Sequence, residues 1–265
     1  MENLIEFPIE CADFMLEEID DLSKHSTTCF FQPCSSLLFE EYPISPDFTE
    51  VMETIQAHEN AWLSSERLTD DLFNGAGFLS TWLTSNFSYS WRAKGQGKAS
   101  LQFAVTKWNP TGFGDLIDEE FEYTTFYPSR REPRHAWYDR EGAPHVMFTI
   151  AHRFEGKDEC LLRGELLAII AVMITRRRCD DFAEHSIIPV MIFSFMGRKG
   201  RILQAHTSDR MLIIRKSKLY DFSTLQEFRE NTSLFLRYMT SQVVGDTQQT
   251  ATGPVITESQ LQADK

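Results

Sequence analysis

Glu165 is the residue best placed to do chemistry in this chain of 265 residues. It lies in Arg163-Gly164-Glu165-Leu166-Leu167, where a strand-like segment passes into an apolar stretch of helical character. A carboxylate at such a junction has two uses. It can help hold a hard divalent cation, or cap the helix N-terminus while paired to Arg163 or His152. Cation chemistry on a phosphodiester also needs a second carboxylate and a positive group for the developing charge. Positive charge is plentiful downstream: Arg198, Lys199, Arg201, Arg210, Arg215, Lys216 and Lys218 crowd one predicted hairpin. Glu165 is therefore the candidate catalytic residue, and Arg163, Arg198, Lys199, Arg201 and Arg215 are the candidate binding residues. The competing use of the basic hairpin is a solvated edge that resists strand addition.

Other familiar constellations are missing from the sequence. Histidines stand at 25, 58, 135, 145, 152, 185 and 206, with no HxxxH or HxH pair to start a metal site. His152 and His206 fall on predicted strands and would have to face each other to act together. Ser80 and Ser194 lack the GxSxG surroundings of a nucleophile elbow. Gly95-Gln96-Gly97-Lys98 is not the GxxxxGK[ST] of a phosphate-binding loop. The five cysteines (Cys11, Cys29, Cys34, Cys160 and Cys179) include no CxxC pair. A zinc site at Cys29 and Cys34 would need His25 and a distant fourth ligand. No cofactor and no resident metal is expected, except a divalent ion if Glu165 is catalytic.

The elements that must position these residues are clearest between Cys160 and Phe222. Leu166–Ile174 is an unbroken apolar run, so a buried helix is expected over about 166–178, with Arg176, Arg177 and Arg178 at its negative end. His145–Phe154 and Ile187–Met196 read as strands, the second as a central one. Gly156-Lys157-Asp158 turns the first, and Glu159–Glu165 is expected to return as its neighbour. Gly197–Gly200 is a turn, and 201–206 and 210–217 form a hairpin joined at Ser208-Asp209. Leu225–Thr240 is a closing amphipathic helix. Further upstream, Asp47 opens a helical pattern that Asn74-Gly75-Ala76-Gly77 is expected to end. Alternation predicts a strand over Leu101–Thr106 and short strands between 109 and 145, with Phe121, Tyr123 and Phe126 in alternation.

Hydrophobic residues make up 42% of the chain and aromatics 12%, enough for a sizeable core. The predicted class is α/β (α+β): a mixed central sheet flanked by helices. Residues 1–48 read as an acidic, partly irregular arm in which Phe14, Leu16, Ile19 and Leu22 form a short amphipathic turn. Phe30, Phe31, Leu37 and Leu38 are the arm's means of wrapping the domain. Residues 49–245 are expected to form a single domain and 246–265 a disordered tail. The first 50 residues hold 12 acids against one base, Lys24, so strong non-specific binding of nucleic acid is disfavoured. No basic and apolar leader opens the sequence, and the nine-residue apolar run is far short of the ~20 residues a membrane helix needs. A soluble, intracellular protein, cytoplasmic or nuclear, is the expectation.

Over about residues 145–215, the order strand, strand with a trailing acid, buried helix, strand, hairpin resembles the core of the restriction-endonuclease-like superfamily. That resemblance implies a metal held by acids on two core strands and a lysine two residues after the second acid. Glu165 stands at the second acid, but Leu167 takes the lysine's place and the preceding strand offers no acid before Glu155. The segments PVMIFSFMGRKGRILQAH, KLYDF and SQVVGDT are similar to a group of uncharacterised filamentous-fungal proteins, which implies an accessory role beside a gene cluster. Three functions follow as expectations. One is a non-catalytic protein that binds a protein or small-molecule partner. The second is a metal-dependent nuclease or phosphodiesterase centred on Glu165. The third is an oligomerisation or scaffold role through the hairpin edge.

Overall fold

In a computed structural model of the protein, the described residues are 9–13, 29–44, 68–88, 100–126, 131–208 and 211–248. The strands are β1 (Ile9–Asp13), β2 (Phe31–Gln32), β3 (Trp108–Thr111), β4 (Arg131–Asp139), β5 (Val146–His152), β6 (Val190–Met196), β7 (Lys199–Ser208), β8 (Met211–Lys216), β9 (Tyr220–Asp221) and β10 (Gln242–Val243). The helices are α1 (Leu38–Glu41), α2 (Leu68–Ser88), α3 (Leu101–Val105), α4 (Glu119–Phe126), α5 (Arg163–Arg178) and α6 (Leu225–Met239). The amphipathic turn at 14–22, most of the helical pattern begun at Asp47, the 95–98 loop, Arg210 and the tail from 249 lie outside the described residues.

The chain builds a mixed sheet in the order β1-β8-β7-β6-β5-β4-β3, with β9 beside β7. β5 and β6 are parallel neighbours and so are β1 and β8, while the other pairs are antiparallel. This is the expected α/β class. A parallel pair needs a crossover rather than a tight turn, and α5 is that crossover, running between β5 and β6. Every residue of β5 and of β6 is buried, as a sheet covered on both faces requires.

Strand alternation divides the core in two. Met147, Ala151, Met191, Phe193, Phe195 and Ile202 face α2 and α6, in a layer rich in aromatic rings. Val146, Phe148, Ile150, Ile192, Leu203 and Ala205 face α5, through Ala168, Ile169, Val172 and Met173. The small Ala168 and Ala171 let the helix approach the sheet closely, and both are buried. Leu166, Leu167, Ile170 and Ile174 are only half-buried, so the helix is enclosed on one side rather than all round.

Four local expectations are corrected. Asn74–Gly77 does not end a helix: α2 runs through it to Ser88. Glycine costs about 1 kcal/mol relative to alanine inside a helix. Here that cost is set against the burial of Ala76, Leu79, Leu83 and Phe87 and a buried 2.8 Å bond from Ser80 to the Thr149 hydroxyl. A Cβ at Gly77 would lie 2.8 Å from Nη2 of Arg134, so the bare backbone leaves room for that side chain. Leu101–Val105 is a short helix and not a strand, with Phe103 outermost at 53% exposed. Its Gln102 amide donates to Trp108 O at 3.0 Å and its backbone carbonyl accepts from Thr106. The 119–126 segment is also helical; Glu119, Glu120 and Glu122 in its first turn suit the positive helix end. Glu159–Glu165 forms no strand: the loop to 162 leads into α5, which begins at Arg163.

The arm region joins both sheets. β1 extends the main sheet, and β2 pairs with β10 to make a two-stranded strap. Phe30 and Phe31 are buried as expected, Leu38 packs on the core, and Leu37 stays 65% exposed. At the strap, Gly245 takes a positive φ of 82°, and a Cβ there would fall 2.7 Å from Cys29 O. Thr247 is buried, and its carbonyl accepts from the Ser186 and Ile187 amides. Phe193→Ala is expected to lower the unfolding free energy by about 3–5 kcal/mol, and Phe103→Ala by less than about 0.5 kcal/mol. Urea unfolding of both variants checks the assignment of core and surface, and equal effects would contradict it.

Candidate functional site

Glu165 occupies the first turn of α5, directly after the extended Leu162. Its Oε2 accepts the Leu162 amide at 2.7 Å, which satisfies one of the donors a helix start leaves unpaired. The same carboxylate meets Arg201 from the facing strand β7. Arg201 Nε donates to Oε1 at 2.8 Å and Nη2 donates to Oε2 at 2.5 Å, a two-pronged contact. Nη1 donates to the carbonyls of Lys157 at 3.1 Å and Cys160 at 2.8 Å. Both side chains are fully buried.

This geometry explains the strand that does not form. The carbonyls at 157 and 160 are spent on a guanidinium instead of a ladder, and the loop wraps Arg201 as a collar. The ion-pair partner of Glu165 is thus Arg201, and not the expected Arg163 or His152. Arg163 is exposed at the first position of α5. His152 ends β5 opposite Met196, buried. Ser194 is the cross-strand partner of both Ile150 and Arg201, and its fully buried hydroxyl has no hydrogen-bond partner. A serine enclosed in a central strand has no access to a substrate.

The candidate binding residues do not form one surface. Arg201 faces α5 with Leu203 and Ala205. Arg215 has the opposite parity on β8, pairs with Gln204, and lies close enough to His206 to disfavour its protonation. Arg198 sits half-buried in the β6–β7 turn, its pKa lowered by burial against the attraction of Asp221. Lys199 is exposed. Among the described residues no group of three or more His, Cys, Asp and Glu side chains is arranged to hold a metal ion.

The sheet separates the two strand histidines. His206 pairs with Ile213 at the opposite end of the sheet from His152. There it packs 4.9 Å from the ring of Phe30, which also lies 6.1 Å from His145. Phe31 approaches His145 at 5.4 Å, edge to face. His145 Nε2 shares a hydrogen bond with Val244 O at 3.2 Å. Burial pushes the pKa of His145 down to about 4, against the pull of the Val244 and Phe30 carbonyls; His185 and Arg176 add to the lowering. Burial and then Arg215 push His206 down to about 4 as well. The strap is thus wedged by phenylalanines against two neutral imidazoles. The sequence held no pairing signal for this cluster, because its members come from separate stretches of the chain.

The fold and the site define an α/β protein with a mixed sheet and a closed, ion-paired helix start. No family model, curated protein or solved structure matches the chain. No described helix is long and apolar enough to cross a membrane.

Two outcomes follow. Glu165→Gln or Arg201→Met alone is expected to cost about 3–5 kcal/mol, because either leaves a buried group uncompensated, whereas the double variant costs less than the sum. A double-mutant cycle by urea unfolding measures the coupling, and additive losses would contradict the pairing. The second concerns acid. The unfolded chain takes up protons at these histidines near pH 6.5, before the folded one does. Their stabilising contribution is therefore complete above about pH 6.5 and is lost as pH falls to about 4. Unfolding free energies at pH 7, 5.5 and 4 should decline, and His145→Gln with His206→Gln should flatten the decline.

Proposed function

We propose that this protein acts by binding and not by catalysis, as an interaction protein built on an α/β scaffold. The observation that supports the reading is the state of Glu165. Both of its oxygens are committed to Arg201, one of them also to the Leu162 amide, in a site without solvent. A carboxylate so engaged serves the helix start and the β7 strand. To ligand a hydrated cation it would have to release a buried arginine, at a cost of several kcal/mol. Leu167 holds the position where phosphodiester chemistry of the nuclease type calls for a lysine. The likeness to filamentous-fungal proteins adds the context of an accessory protein and no mechanism.

The test is direct. Purified full-length protein with Mg²⁺ or Mn²⁺ is expected to leave supercoiled DNA, single-stranded RNA and a chromogenic phosphodiester intact. Glu165→Gln should lower the melting temperature and change no rate. Turnover by the wild type that disappears in folded Glu165→Gln would overturn this reading in favour of a metal-dependent nuclease or phosphodiesterase.

A further inference from the structure

We propose that the strap of β2 and β10 is a detachable latch, which mild acid releases as a unit while the main sheet and its helices stay folded. The inference goes beyond the interaction reading and does not depend on it. Its basis is where the histidines lie. Phe30 and Phe31 pack against His145 and His206. Val244, just after β10, shares a 3.2 Å hydrogen bond with His145 Nε2. Thr247 reaches His185, its Oγ1 2.6 Å from Nδ1. Three imidazoles thus lie under one short strap, and a strap residue touches each of them.

The strap is held lightly. β2 and β10 share two residue pairs, and an isolated two-stranded ribbon is marginal in water. A few further bonds tie it down. Trp108 Nε1 donates to Ser241 O at 3.1 Å and Arg237 Nε to Cys34 O at 3.0 Å, while the Ser186 and Ile187 amides donate to Thr247 O. β6, by contrast, is laddered along all of Val190–Met196 on both sides. The strap is therefore the part of this end that can leave without dismantling the sheet.

Proton uptake supplies the reason to leave. Val244 O can only accept, so neutral His145 carries its hydrogen on Nε2 and a second proton must go to Nδ1. That nitrogen is buried without a hydrogen-bond partner. Arg176 from α5 and His185 disfavour a further positive charge there, and the Val244 and Phe30 carbonyls favour it. The acids on this side, Asp139 of β4 and Asp181, act on Arg176. Asp139 Oδ2 is also engaged by the Glu141 and Ala143 amides. His206 meets Phe30 from the strap and Arg215 from β8. Glu10 of β1 stands one strand further out, opposite Ile213. An imidazolium at either place regains water when the Phe30 and Phe31 rings lift, so protonation and strap release are one equilibrium.

Native-state hydrogen exchange of the full-length protein, read by mass spectrometry at pH 7 and pH 5 in low urea, is the test. Amides of 29–34 and 242–247 are expected to exchange through a urea-insensitive local opening, less protected than those of β6 at both pH values. After correction for intrinsic exchange, the strap's opening constant should rise about 20-fold per histidine from pH 7 to pH 5, given a pKa near 6.5 when open and about 4 when closed. His145→Gln, whose amide can still donate to Val244 O, should remove one such factor. Adding His206→Gln should remove the other. Strap amides as protected and as urea-sensitive as those of β6 would overturn the proposal, because the strap would then open only in global unfolding. So would an opening constant that ignores pH, or an unchanged pH response in the folded double variant. The wild-type comparison decides the matter even where a variant fails to fold.

Discussion

A carboxylate and a guanidinium withdrawn together from water set the main constraint on this fold. Moving either ion alone into the interior costs several kcal/mol, and only close geometry with further hydrogen bonds offsets it. Arg201 finds that geometry with Glu165 and the carbonyls of Lys157 and Cys160. The pair fixes where α5 begins and folds the preceding loop into a collar. It also fixes which way β7 faces, because a slip of one residue would turn Arg201 to the aromatic side of the sheet. Helix, loop and strand are therefore joined by one polar contact beside a core layer built from Ile, Leu, Val, Phe, Ala and Met.

The two ends of the sheet are closed by different chemistry. At the Glu165 end, charge is neutralised by charge. At the other end, the strap of β2 and β10 lays Phe30 and Phe31 across His145 and His206, which remain neutral because burial disfavours their cations. Arg176, near the same end, donates to Pro144 O at 2.9 Å and lies 4.1 Å over the ring of Phe182. Residues more than 200 positions apart thereby close the aromatic layer of the core. The segment from Cys29 to Ile44 packs as part of that core although its composition is that of an arm.

Acids concentrate in the first 50 residues and bases in the hairpin, and the register sets β1, which carries Glu10 and Asp13, beside β8. The described basic residues of the hairpin divide between the two faces of the sheet, a turn and the buried pair. Consecutive residues of a strand point to opposite sides. A run of bases in sequence is therefore not a patch in space.

The sequence by itself determined the class, the buried helix after β5, the central strand β6, the β7–β8 hairpin and the closing helix. Each rests on a periodic or continuous apolar pattern long enough to name its element. It also marked Glu165 as the carboxylate at the helix start. It misread Leu101–Val105 and Glu119–Phe126, where a few alternating residues fit helix and strand equally well, and the run through Gly75 and Gly77, where packing against β5 outweighed a weak local preference. Only the tertiary structure decided that Glu165 meets Arg201, that β1 lies on β8, and that Phe30 sits between two histidines. Those contacts join residues 36 to about 200 positions apart, and no local pattern encodes which distant partner desolvation will select.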